Sequence, residues 1–157
     1  MPQITPNLWF DGNSLAAATF YVSIFPRSEI TRISYYGESG PQPPGTVLTV
    51  DFVLDGQAFT AINGGPDFPF DEAVSFLISC ADQAEIDHYW EALCDGGEPG
   101  PCGWLKDRFT LSWQVVPAIL TELLSDPDEA RRDRAMAAVR SMGKLDVAAI
   151  QAAADGT

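Results

Sequence analysis

What this chain lacks narrows its function before any motif is considered. It has one histidine, His88, and so no pair of imidazoles that could hold a transition metal together. His88 falls in a predicted helix beside Tyr89 and Trp90, where packing or solvent is its expected role. The three cysteines, Cys80, Cys94 and Cys102, are odd in number and match neither a disulfide framework nor a paired zinc motif, so free thiols are expected. Basic residues are scarce: nine Lys and Arg face 22 Asp and Glu, for a net charge of −13. Such a surface repels a polyanion, and nucleic acid is not an expected partner. No apolar run approaches the roughly 20 residues of a membrane span. The start of the chain also lacks the basic-then-apolar layout of a signal peptide. The expectation is a soluble, cytoplasmic protein with no membrane partner. No serine sits in a Gly-x-Ser-x-Gly elbow, and no catalytic residue is assigned.

What is present is a repeat. Asp55-Gly56-Gln57-Ala58-Phe59-Thr60-Ala61-Ile62 and Asp107-Arg108-Phe109-Thr110-Leu111-Ser112-Trp113-Gln114 both read as a turn entering a strand. Upstream of each lies a helix with neighbouring aromatic residues, Phe20-Tyr21 and His88-Tyr89-Trp90. Two like modules imply a cleft for a small molecule between them. Aligning the two halves sets Ile62 against Gln114.

Local signals give the order of elements. Ile4 to Phe10 reads as a strand, and Asp11-Gly12-Asn13-Ser14 supplies turn and cap chemistry for a helix over 15–24. Ile30 to Tyr36 is a second strand. Gly37 to Gly45, with three prolines and three glycines, must be a loop, of a length that often borders a binding site. Thr46 to Leu54 and Ala58 to Asn63 form a hairpin around Asp55-Gly56. The second module repeats this in shortened form. Val74 to Cys80 is a strand, Asp82 caps a helix through Leu93, and short strands follow near 102–105 and over 109–116. Pro117 closes the module. A helical tail covers 118–157: Ala118 to Leu124, a helix from Asp126-Pro127 to Gly143, and Leu145 to Ala154. Met136, Val139 and Met142 recur at helical spacing, for a core or a subunit contact. Arg131, Arg132, Arg134 and Arg140 are expected to solvate a helix face beside Asp128, Glu129 and Asp133. The alternative is that this basic tail packs on an acidic body.

Six blocks carry a family resemblance. They are Leu8-Trp9-Phe10-Asp11-Gly12-Asn13, Phe20-Tyr21, Asn63-Gly64-Gly65-Pro66, Asp87-His88-Tyr89-Trp90, Cys102-Gly103-Trp104-Leu105-Lys106-Asp107 and Ser112-Trp113-Gln114. In this order they resemble the PhnB-like branch of the vicinal-oxygen-chelate, or glyoxalase/bleomycin-resistance, superfamily, also called demethylubiquinone 3-methyltransferase-like. The resemblance implies an α+β fold of paired βαβββ modules, an open curled mixed sheet, followed here by C-terminal helices. It divides the chain into a two-module domain over 1–117, with modules at about 1–66 and 67–117, and a tail over 118–157. It also implies a homodimer.

In metal-using relatives His, Glu or Gln from the first strand of each module and from the closing strands hold a divalent ion. Carried onto this chain, those positions fall near Pro6 to Leu8, at Ala73 or Ser75, and at Gln114. Only Gln114 can coordinate, and one neutral amide holds a divalent cation poorly, so no metal and no cofactor are expected. The methyltransferase label finds little support in the residues. Gly64-Gly65-Pro66 follows a strand but opens no helix, whereas adenosyl donors normally sit at a Gly-rich strand-to-helix turn.

The expected function is binding of a small aromatic or apolar molecule in the pocket between the modules. The alternative is an enzyme acting on a quinone-like or phenolic substrate, methyl transfer included. Trp9, Phe59, Trp104 and Trp113 are candidate pocket walls, with core packing the competing role for each. Asn63, Cys102 and Gln114 are candidate polar contacts, and Lys106 and Arg108 are possible anion attractors or surface residues. Cys102 is a nucleophile if Lys106 lowers its pKa, and otherwise an inert thiol.

Overall fold

Both residues of the Asp55-Gly56 turn take positive φ, 46° and 86°. This mirror-image two-residue turn matches the twist of the strands it joins. It links β3 (Val47–Leu54) to β4 (Gln57–Asn63) in a computed structural model that describes residues 1–157. The chain forms two compact units, Met1–Phe70 and Asp71–Thr157, the second including the tail helices.

In the first unit β1 (Asn7–Phe10) and β2 (Glu29–Tyr35) complete a four-stranded sheet, ordered β1-β4-β3-β2. β1 lies parallel to β4, and the other pairs are antiparallel. The parallel pair needs a crossover, which α1 (Ser14–Ile24) supplies. β4 alternates strictly: Phe59, Ala61 and Asn63 are buried, whereas Ala58, Thr60 and Ile62 are half-buried. One face therefore packs under α1 and the other stays open. The packed face holds Ala17, Ala18, Tyr21, Val50, Phe52 and Ala61, each at most 1% exposed. Phe52 stacks on Phe59 with ring centroids 5.4 Å apart and on Tyr21 at 6.3 Å.

The second unit repeats the topology. β5 (Phe76–Cys80), α2 (Gln83–Cys94), β6 (Glu98–Pro99), β7 (Trp104–Lys106) and β8 (Ser112–Pro117) give a sheet ordered β5-β8-β7-β6, with β5 parallel to β8. The fold is therefore α+β, two open four-stranded mixed sheets with helices, as expected. The alignment of the halves needs correction. The last pairs of the parallel ladders are Phe10 with Asn63 and Cys80 with Pro117, and counting back from them sets Gln114 against Thr60, not Ile62. The connections also differ, since β7 and β8 are joined through 107–111 where Asp55-Gly56 suffices in the first unit.

Several boundaries also differ from expectation. β1 begins at Asn7 because Pro6 has no N–H to give the ladder, although its carbonyl accepts from Thr60 at 2.9 Å. β5 begins at Phe76, because the Asp71 carboxylate accepts from Ala73 N and holds the preceding residues in a turn, leaving Val74 65% exposed. β6 was not anticipated, and its two residues follow Gly96-Gly97 directly.

The tail consists of α3 (Ala118–Leu124), α4 (Glu129–Arg140) and α5 (Val147–Asp155). α4 starts three residues after Asp126, because Asp126 bonds Asp128 N and Asp128 is the cap, accepting from Ala130 N and Arg131 N. Val116, Leu120, Leu123, Ala135, Val139, Leu145, Ile150 and Ala154 form its core, with Met142 against it. Two of the tail arginines hold helix ends together instead of pairing within α4. Arg131 bonds Asp126 and Asp155, and Arg134 donates to the Ala153 and Ala154 carbonyls at the end of α5. Gln83 of α2 clamps the tail, donating to Leu145 O at 3.0 Å and accepting from Val147 N at 2.9 Å.

Candidate functional site

The open face of the second sheet carries the candidate site. Trp104 pairs with Gln114, and Gln114 with Leu77, so a half-buried indole, an amide and an apolar side chain that is 58% exposed lie in one cross-strand row. The adjoining row pairs Lys106 with Ser112 and with Glu98. A cleft of about 240 Å³ is lined by Trp104, Lys106, Ser112, Glu72, Glu98 and the 99–101 turn. Gln114 Nε2 donates to Ser75 Oγ at 2.9 Å, which leaves the amide oxygen as an acceptor. The Ser112 hydroxyl is buried without a partner.

Lys106 is bound to the Glu72 carboxylate. That hydrogen bond raises the ammonium pKa and lowers that of Glu72. With Glu98 and Asp71 adding to the attraction, Lys106 is a held cation. Arg108 is tied to the end of α2 through Asp95, at 2.9 Å to the carboxylate and 3.1 Å to the carbonyl.

Two further candidates of this unit have other roles. Trp113 is 3% exposed and belongs to the core, its Nε1 donating to Asp107 Oδ2 at 2.9 Å. Cys102 takes φ 60° and packs against the tail cluster, its amide bonded to Met142 O at 2.7 Å. Asp107 itself was missed in the sequence. It is 2% exposed and also accepts from Phe109 N at 2.8 Å and Leu111 N at 3.1 Å, so this carboxylate organises the whole β7–β8 turn. The signal was there: an Asp that opens a turn bonds amides two and four residues on.

In the first unit Asn63 is 7% exposed, and its side chain is spent on structure. Oδ1 accepts from Ser14 N and Nδ2 donates to Val47 O, both at 3.0 Å, joining the start of α1 to β3. Phe59 lies in the buried stack with Phe52, as core. Trp9 is half-buried on the open face. Its Nε1 donates to Gly65 O at 2.9 Å, and its ring meets Phe68 edge-on at 5.0 Å. The indole also lies flat over Gly64, where an added Cβ would come within 2.1 Å of it. Gly64→Ala is therefore expected to push Trp9 off its seat, and a red shift of tryptophan emission checks this. A second cleft, about 450 Å³, is lined by Asn63 and by residues of the 37–45 loop that the sequence marked.

Cys80 is fully buried, and burial pushes its thiol up to about 12, with Glu85 and Asp82 adding to the shift. The folded state thus keeps a proton that the unfolded chain releases near pH 9. This contribution to stability is complete below pH 9 and is lost as the pH rises toward about 12. Urea titrations across that range are expected to show falling stability that Cys80→Ala reduces.

The residues do not fit the divalent ion that the family resemblance implies. Gln114 is bonded to Ser75, the single histidine is exposed on α2, and no group of three His, Cys, Asp or Glu side chains is placed to hold a metal. No helix is long and apolar enough to cross a membrane.

Residues 2–116 match the family model described as 3-demethylubiquinone-9 3-methyltransferase. Among solved structures the chain is similar to the PhnB protein of Bacillus cereus, at 36% identity and a TM-score of 0.67, over 74% of this chain and 100% of that one. It is also similar to protein PA1353 from Pseudomonas aeruginosa, at 23% identity and a TM-score of 0.62, over 74% and 98%. A third is the fosfomycin resistance protein FosX from Listeria monocytogenes in complex with Mn(II) and sulfate, at 16% identity and a TM-score of 0.51, over 79% and 95%. No curated protein matches the chain.

Proposed function

Because the chain belongs to the 3-demethylubiquinone-9 3-methyltransferase-like, PhnB-like family of the vicinal-oxygen-chelate superfamily, we propose that it binds a small aromatic or apolar molecule without a divalent ion, on the open face of the second sheet. The observation that carries this reading is the half-buried Trp104 indole, in one cross-strand row with the Gln114 amide and beside the cleft that Lys106 and Glu72 border. An indole face gives a planar ligand contact area at little entropic cost. The Gln114 oxygen accepts a hydrogen bond from a phenolic hydroxyl, and Lys106 donates one to a carbonyl.

Thermal-shift screening of metal-free protein against phenols and quinones tests the reading. Stabilisation that survives excess chelator and is lost in Trp104→Ala supports it, and stabilisation only with added Mn, Fe, Ni or Zn sinks it. The family description favours a second reading, an enzyme acting on a phenolic or quinone-like substrate. Methylated product from an adenosyl donor and a demethylated quinone would establish that alternative. The proposal includes a homodimer, supported by the large apolar side chains Tyr35, Val74 and Leu77, each more than half exposed. A sedimentation mass of one chain would refute the dimer.

A further inference from the structure

We propose a second binding site, in the first unit: the cleft of about 450 Å³ takes a small organic ammonium ion with an apolar body, its charge set on Asp11. This volume lies inside the range of roughly 300–1,000 Å³ typical of ligand sites. The walls are prepared in advance. Tyr36 is held at three points, its amide on Thr46 O, its carbonyl under Gly45 N, and its hydroxyl on Asn63 O. Pro41, Pro43 and Pro44 stiffen the loop that forms one side.

The chemistry of the lining selects the ligand. Most polar wall groups are already spent inside the unit: the Tyr36 hydroxyl, both ends of the Asn63 amide, the Thr46 hydroxyl on Pro43 O, and Gly65 O under the Trp9 indole. At the start of α1 the Ser14 amide is taken by Asn63 Oδ1. Among the lining residues Asp11 is the one ionised side chain, and it has no ion-pair partner. Leu15, Val47 and Tyr36 line the same cleft and suit the apolar body of an amphipathic cation. The net charge of −13 raises the local concentration of such cations.

The test is a ¹H–¹⁵N NMR titration with 2-phenylethylammonium and its neutral counterpart 2-phenylethanol, on the wild-type protein, Asp11→Asn and a control in the second unit, Asp133→Asn. The expected result is saturable shifts of the Gly45, Val47 and Gly65 amides by the ammonium. Affinity should fall about fivefold in Asp11→Asn, be unchanged in Asp133→Asn, and be about fivefold weaker for the alcohol. Asp11 is exposed, so the variant keeps its fold, which the same spectrum verifies. Equal binding of alcohol and ammonium, equal loss in both variants, or no saturable shift at these amides would overturn the proposal. None of these outcomes depends on whether Trp104 binds a ligand.

Discussion

Asp107→Ala is expected to lower the unfolding free energy by about 4 kcal/mol, and the melting temperature by roughly 10 °C, in chemical and thermal denaturation. The carboxylate is 2% exposed and accepts from two backbone amides and the Trp113 indole. Hydrogen bonds to an ionised acceptor are the strong kind, and alanine would leave three donors unpaired, two of them buried. Asp107→Asn keeps the volume and one acceptor oxygen, so it should cost about half as much. Trp113→Phe removes only the indole donor. A loss below about 1 kcal/mol in Asp107→Ala would mean that the turn is held by something other than this carboxylate.

Phe59 and Trp104 are expected to separate stability from binding. Phe59 is 6% exposed within the Tyr21–Phe52–Phe59 stack, and its truncation to alanine should cost about 3 kcal/mol by opening a cavity. Affinity for an aromatic ligand, measured on the fraction that remains folded, should not change. Trp104 is half-buried on the open face, so Trp104→Ala should cost about 1 kcal/mol of stability and weaken the ligand at least tenfold. Calorimetry on both variants checks the pair. The reverse pattern would move the site to the packed face.

The sequence carried the frame well because its signals were local. The Asp55-Gly56 turn, the Asp82 cap, the loop over 37–45 and the stop at Gly96-Gly97 each depend on a few neighbouring residues, and each stands where it was read. The site was less legible, because period-2 alternation sets Trp113 and Gln114 on opposite faces but does not say which face a helix covers. Core packing claimed Phe59 and Trp113, and a hydrogen-bonded brace claimed Asn63. The roles of the tail arginines were missed for a similar reason: Arg134 reaches the carbonyls of a helix 19 and 20 residues further on, a pairing that i,i+4 logic does not contain.

The claim that the second sheet binds its ligand without a metal is tested most directly by a crystal structure of chelator-treated protein soaked with a phenolic ligand chosen by thermal shift. The account predicts the ring stacked on Trp104, its hydroxyl within hydrogen-bond distance of Gln114 Oε1, and no ion between them. A ligand held through a divalent cation, or seated away from Trp104 altogether, would contradict it.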